Sequence, residues 1–367
     1  AKADIDLSDR LKIGVNSIFS NATKYSPENS AWFKAYLAVP TMPVIDPLNT
    51  DARPTQYSNA QNLGYRQSWN PFPDLVYNNN RQKIRKILSS VYFQYEIVPD
   101  KLDFKTTYSH NFTALEERYV SLPFTLGNNN QTISSITRAN NNFSNKYWDN
   151  ILTYKDNFGD HDLTVMAGAS YRDEASNTFS ASGRDIQGIS LDTSWYLDFA
   201  DPESFNNSVS EIGRRFYGIS YFGRINYTFN DKYILYGTFR ADGSSKFTLD
   251  PWGYFPSVGL GWVLSEENFL KNNDFIDFLK FRGSWGKLGN DNVGASAGSN
   301  TVNVITMPFG DTQYTGTTTT SLFSNNTWEI IEETNIGLDF RTFDNRLTLD
   351  ANYYIRDTKN AIMPVYV

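Results

Sequence analysis

The chain has no cysteine among its 367 residues and only two histidines, His110 and His161. Without cysteine there are no disulfides, no thiolate chemistry and no cysteine-ligated zinc or iron–sulfur centre. Long apolar runs are missing as well. None approaches the roughly 18 uninterrupted residues that a transmembrane helix needs. A basic surplus is also absent: the net charge is −7, which argues against a nucleic-acid partner. The opening Ala1-Lys-Ala-Asp carries no charged-then-apolar signal segment. The first residues sit inside an alternating strand and Val367 lies just beyond another, so a fragment of a longer protein is expected.

Aromatics, by contrast, are abundant at 16%, with 23 Tyr, 26 Phe and 8 Trp. Their placement is ordered. In Tyr217–Phe229 the odd positions are Tyr217, Ile219, Tyr221, Gly223, Ile225, Tyr227 and Phe229; the even ones are Gly218, Ser220, Phe222, Arg224, Asn226 and Thr228. After Asn230–Asp231, Tyr233, Leu235, Gly237 and Phe239 alternate with Tyr236, Thr238 and Arg240. Strand side chains point to opposite faces with period two, so one face is apolar and aromatic and the other mostly polar. Such a sheet suits lipid on one side and water on the other, and the predicted fold is all-β: an antiparallel transmembrane β-barrel. A mean hydropathy of −0.48 is compatible, because only alternate residues face lipid. A spanning chain without apolar helices must close its backbone hydrogen bonds in a barrel.

About twelve strands pair as hairpins: 1–7 with 11–19, 84–97 with 101–112, 143–157 with 161–173, 214–229 with 232–242, 254–264 with 278–288, and 328–341 with 346–356. The connections on one side are tight (Ser8-Asp9-Arg10, Pro99-Asp100, Gly159-Asp160, Asn230-Asp231, Asp344-Asn345), using residues that tolerate left-handed backbone angles. The longer Ser265–Asn273 reads as a short helix with Ser265 as N-cap and Glu266–Glu267 at its positive end. The opposite connections, 20–81, 111–142, 174–213, 243–253 and 289–326, are long and rich in Asn, Thr, Ser, Pro and Gly. Short periplasmic turns and long extracellular loops are the barrel pattern. A soluble sandwich or adhesin-like array alternates equally well, but it explains the aromatic excess and the segregated loops poorly.

The run YFGRINYTFNDKYILYGTFRADGSSKF from Tyr221, followed by WGYFPSVGLGWVLSEENFL and FLKFRGSWGKLGN, resembles the barrel core of SusC/RagA-type TonB-linked outer-membrane transporters. The sharpest pieces are Arg240–Phe247, Tyr254-Phe255-Pro256-Ser257, and Gly261-Trp262 leading to Ser265-Glu266-Glu267. Trp328-Glu329, Glu333–Phe340 and Tyr353–Ala361 are also similar to that family, while the early strands and Trp32–Pro47 match more loosely. The resemblance implies a bacterial outer-membrane location and import of glycans or peptides through a plugged barrel of about 22 strands. It implies a surface lipoprotein of SusD type as partner, energy from TonB through an N-terminal segment, and outer-membrane lipid around the wall. On this reading residues 1–367 are part of one TonB-dependent receptor barrel domain, with the plug, N-terminal extension and last strands outside the fragment.

The motifs specify a wall rather than a chemistry, and neither an enzyme nor a cofactor or resident metal is expected. His110 and His161 fall on opposite rims, so they share no metal or proton relay; His110 beside Ser109 is the one candidate centre for a barrel enzyme. Asp198–Glu203 and Asn290-Asp291-Asn292 offer oxygens to calcium without the ordered spacing of a binding loop. Aromatic loop residues (Trp69, Phe72 and Tyr77; Phe124 with Asn128–Asn130; Trp195-Tyr196) suit stacking on sugars or gripping peptides, or anchoring loops to one another. Arg240, Asp242, Ser244 and Lys246 mark a lumen-facing strand end that would touch substrate or plug, or brace the wall. With Trp69 and Trp195 they form the candidate site. A non-transporting surface adhesin or structural β protein is the alternative.

Overall fold

Twelve strands pair in one antiparallel sheet, each with its neighbour in the chain except at a single step. A computed structural model describes residues 1–361 apart from 27, 28, 63, 66, 67, 128, 129, 190–192, 194, 206–208, 248, 249, 272, 274, 293–300 and 322–326. The strands are β1 (Lys2–Ser8), β2 (Leu11–Ser26), β3 (Asn78–Val98), β4 (Leu102–Ser121), β5 (Ser135–Phe158), β6 (His161–Arg184), β7 (Val209–Phe229), β8 (Tyr233–Ser244), β9 (Trp252–Val263), β10 (Phe278–Asn290), β13 (Glu329–Thr342) and β14 (Leu347–Lys359). Between β10 and β13 the chain forms a separate hairpin, β11 (Thr301–Phe309) and β12 (Thr312–Ser321). Among the described residues β1 and β14 each have one partner strand, so the sheet is an open arc of wall.

Register carries the alternation across the whole sheet. Leu163, Tyr227, Leu235, Leu260, Gly283, Ile336 and Tyr353 stand opposite one another in turn from β6 to β14. A polar row, Arg224, Thr238, Ser257, Gly286, Glu333 and Arg356, runs on the other face. The apolar face is uncovered by protein: Leu260 is 63% exposed and Tyr353 67%. Apolar surface of that extent is a membrane-contacting surface. At its short-turn rim, Phe158, His161, Phe229, Tyr233 and Trp262 make a stripe with successive ring centroids 4.8–6.4 Å apart. At the other rim Tyr171 meets Tyr217 and Tyr221 meets Trp252. Two aromatic belts are the mark of membrane interfaces.

The tight turns form as the sequence requires. Asn230 and Asp231 both adopt positive φ, 53° and 56°, at the centre of a turn that the Lys232 amide closes by donating to the Phe229 carbonyl at 3.0 Å. Two expectations fail. The 265–273 helix is replaced by one 3-10 turn, Leu264–Glu266, capped by Val263 with no side-chain hydrogen bond. Ser265 is buried within that turn. Glu267 accepts hydrogen bonds from Tyr233 Oη at 2.7 Å, Trp262 Nε1 at 3.0 Å and Lys232 Nζ at 3.3 Å, which pins the segment beneath β8 and β9.

The long connections also begin later than expected. β5 and β6 each run 24 residues, more than twice the ~9–11 that cross a bilayer. Their upper halves stand clear of lipid, where polar residues occupy both faces and leave no hydropathy signal. The connections then fold on themselves. In the β2–β3 connection, α1 (Asn29–Leu37) and α2 (Phe72–Val76) are joined by the buried Asp74, which pairs with Lys34 at 2.7 Å and accepts from Ser30 at 2.8 Å. Ala52, Tyr57, Tyr77, Phe124 and Leu126 form a small core between two connections.

Candidate functional site

The lumen-facing positions of β6, β7 and β8 place Arg172, Gly218 and Ser244 in one cross-strand row. Gly218, at the centre, leaves the gap that the Arg172 side chain crosses: a Cβ there would lie 3.0 Å from Arg172 Nε. Beyond it, the Arg172 guanidinium pairs with the carboxylate of Asp291, just past the end of β10. Ser244 Oγ, 2% exposed as a residue, donates to the same oxygen, Oδ2, at 3.0 Å. Lys246 Nζ donates to the Asp291 carbonyl at 3.1 Å and lies 4.0 Å from Oδ2. Burial alone would raise the Asp291 carboxyl pKa, but Arg172, Lys246 and Ser244 outweigh it and hold the group below the ordinary aspartate range. Outside this row, on the opposite face, stand Tyr171 and Tyr217. The cluster therefore lies inside the wall at the height of the upper aromatic belt.

The adjoining Arg240 and Asp242 point into the lumen but belong to a different contact set. Arg240 Nε donates to both Asp242 oxygens at 2.8 Å, and its Nη2 donates to Ser220 Oγ at 3.0 Å. The guanidinium lies 5.3 Å over the Phe222 ring. Phe222 in turn covers Gly168 on the next strand. Below the motif, Phe247 is 1% exposed against Trp328 and Phe255, with ring centroids of the Phe247–Trp328 pair 5.2 Å apart. Trp328 Nε1 donates to the Pro251 carbonyl at 3.1 Å. The turn after β8 is thus built on a small aromatic core that fixes where Ser244 and Lys246 project.

The two tryptophans of the candidate site lie apart from this cluster. Trp69 is half-buried in the β2–β3 connection beside Asn70, which is itself buried and donates to the Val44 carbonyl at 2.9 Å. Trp195 belongs to the β6–β7 connection. Its ring lies 5.1 Å from the Arg118 guanidinium, and its Nε1 donates to the Ile189 carbonyl at 3.0 Å. It packs with Val120 and Ile136, which share the lipid-side face of β4 and β5 above the belt. Tyr77 stacks on Phe124 at 5.2 Å and meets Tyr57 edge-on at 6.1 Å, so these loop aromatics join connections to one another. Positions 128 and 129 of the Asn128–Asn130 motif lie outside the described residues.

His110 is not at a strand end, because β4 continues to Ser121. It shares the lipid-side face and meets Ser144 Oγ at 2.9 Å, while the adjacent Ser109 points to the lumen, so Ser109 and His110 do not form a pair. His161 lies at the short-turn rim with its Nδ1 2.6 Å from Tyr227 Oη. Asp291, weighed as a calcium ligand in the sequence, instead faces two cations. The pairing of Arg172 with Asp291, 119 residues apart, escaped the sequence reading because only the register of five strands brings them together. Arg282 was missed for the same reason. It passes over Gly337 to bind Asp339 at 3.2 Å and Asp350 at 2.9 Å, which ties β10, β13 and β14 on the lumen face.

A long antiparallel wall with lipid-facing aromatics, a charged inner face and short turns on one rim is the class of an outer-membrane β-barrel. The family model described as TonB dependent receptor-like, beta-barrel, matches residues 16–367, and the chain belongs to that family. TonB-dependent receptor SusC of Bacteroides thetaiotaomicron is 27% identical over 382 residues, covering 98% of this chain and 37% of SusC. TonB-dependent receptor P3 of Formosa agariphila is 27% identical over 386 residues, covering 99% of this chain and 36% of that protein. The chain therefore spans little more than a third of these relatives. The RagAB peptide importer in its open-open state superposes with a TM-score of 0.77 at 19% identity, covering 99% of this chain and 39% of that one. That likeness is one of fold.

Proposed function

We propose that this chain is wall of a larger plugged barrel that imports glycans or peptides across the outer membrane with energy from TonB. The observation that carries the reading is the split of faces held in register across twelve strands, joined to family membership over residues 16–367. Charged arms on the lumen face are tied to one another across strands, as Arg282 is to Asp339 and Asp350. Such a face supplies a polar lining that a hydrated solute, or a plug domain, can contact without exposing unpaired charge. Arg240, Asp242, Ser244 and Lys246 are its contact residues in the upper half of the wall. Trp195 braces the connections, on which a SusD-type lipoprotein would rest, and Trp69 lies in one of them. The wall positions and encloses; it performs no catalytic step.

The test is uptake by cells expressing the full-length protein with its neighbouring lipoprotein. Import of labelled oligosaccharides or peptides that stops when TonB is deleted supports the reading. Uptake that is equal with and without TonB would show a passive pore, and no uptake of either class would favour a surface adhesin.

A further inference from the structure

Arg172, Ser244 and Lys246 converge on one carboxylate, and that carboxylate belongs to the chain itself. We propose that these three residues form a lumen-facing binding site for a carboxylate-bearing ligand group, which Asp291 occupies as an internal stand-in until a ligand displaces it. The proposal deepens the import reading above and rests on it.

Three features support a site rather than a surface ion pair. The donors are anchored independently of Asp291. Arg172 reaches through the space that Gly218 leaves, and Ser244 is fixed by its place in β8 and by its amide, which donates to the Pro251 carbonyl at 2.9 Å. Lys246 lies 5.4 Å over the Phe216 ring. The donor set is also matched to a carboxylate: a planar guanidinium and a hydroxyl on one oxygen, with an ammonium 4.0 Å from it. Glu174 stands 3.8 Å from Arg172 Nη1, so when Asp291 leaves, Arg172 and Lys246 face a single carboxylate and the site carries a net positive charge. Finally, Asp291 is carried by the connection after β10 rather than by the wall, and the amide of Asn292 beyond it donates to Asn290 Oδ1 at 2.9 Å. Two donors rooted in strands, a third held by the packed turn after β8, and an acceptor on a connection are the arrangement in which the acceptor can leave without unfolding the site.

The consequence is selectivity. An acidic group arriving at the height of the upper aromatic belt gains the Arg172 and Ser244 donors and the charge of Lys246, whereas a neutral analogue gains none of the ion pairing and leaves Asp291 in place. The occupied state weakens acidic ligands by the amount needed to displace Asp291.

The experiment uses the full-length protein in detergent and two matched probe pairs: tetraglutamate with tetraglutamine, and tetragalacturonate with a neutral tetragalactoside. Asp291→Ala is expected to tighten the acidic member of at least one pair about tenfold relative to its neutral partner. Arg172→Gln or Lys246→Gln added to Asp291→Ala should remove that gain. Equal changes for acidic and neutral probes, or no binding of any probe to Asp291→Ala, would overturn the proposal and leave Asp291 as a brace. Unchanged heat-modifiable migration of each variant shows that the barrel is assembled. The import reading is judged separately, by TonB-dependent uptake, so either can fail without the other.

Discussion

Arg172 and Ser244 sit at the two ends of one lumen-facing row, two strands apart, and both reach Asp291 Oδ2, Arg172 across the gap left by Gly218. The glycine is the condition of the contact. Gly218→Leu should therefore expel the Arg172 arm, while Gly218→Ala should shift it by only a few tenths of an ångström. A spin label at Asn292→Cys is the readout. Its mobility in Gly218→Leu should match that in Asp291→Ala, and in Gly218→Ala should stay near that of the unmodified wall.

The same label tests the charge state of Asp291. Its folded carboxyl pKa is depressed, so the stabilisation it gives is present above the ordinary aspartate value of ~3.9 and is lost as pH falls through the lower, folded value. Label mobility should be flat from pH 8 to pH 5 and rise only below about pH 4. A rise near neutrality would mean that another group controls the contact.

Glutamate placed on the two faces should behave oppositely. Ile225 and Leu235 face lipid, so Ile225→Glu and Leu235→Glu should impair assembly, at a cost on the order of 1–3 kcal/mol. Asn226 faces the lumen, where its Oδ1 accepts from Arg224 Nε at 3.2 Å. Asn226→Glu should be tolerated. Recovery of folded protein in membranes is the measurement.

How much of this was legible in the sequence depends on how far hydropathy reaches. Tyr217–Phe229 alternates so strictly that its face assignment follows from the residues alone, and Asn230-Asp231 names its own turn. Upper β3 and β4, by contrast, carry Arg81, Lys83, Glu116 and Arg118 on the lipid-side face, and a strand that is polar on both faces reads as loop. The hairpin β11–β12 was hidden in the same way: its Thr-rich sequence resembles a connection, although Gly310 at φ 63° turns it. The 265–273 helix failed because Glu267, read as a helix-start residue, is engaged by Tyr233 and Trp262 from neighbouring strands. Of the candidate residues, Ser244 and Lys246 share a cluster. Their partners Arg172 and Asp291 required the register.

The aromatic core beneath the β8 turn should be costly to open. Phe247→Ala removes a nearly fully buried ring from Trp328 and Phe255, and should lower the local opening free energy by about 3–5 kcal/mol. Amide exchange at Ser244–Phe247 is the check. Exchange confined to the neighbourhood of this turn would show that the core serves the turn rather than the whole wall.

On β1 to β3 the inner face repeats the glycine device. Tyr92 lies over Gly14 and donates from its hydroxyl to Asp4 at 2.8 Å. A Cβ at Gly14 would stand 2.0 Å from the ring, so Gly14→Val should break the bond and destabilise this edge by about 1–3 kcal/mol. Urea unfolding of Gly14→Val beside Asp4→Asn separates the clash from the lost hydrogen bond.

The most direct test of the membrane wall is a single-cysteine scan along β7 in intact cells, made simple by the absence of cysteine from these residues. A water-soluble maleimide should label Arg224→Cys, Asn226→Cys and Thr228→Cys. It should spare Gly223→Cys, Ile225→Cys and Tyr227→Cys, which a lipid-phase reagent should reach instead. Labelling without a two-residue period would contradict the assignment of lipid to one face and lumen to the other.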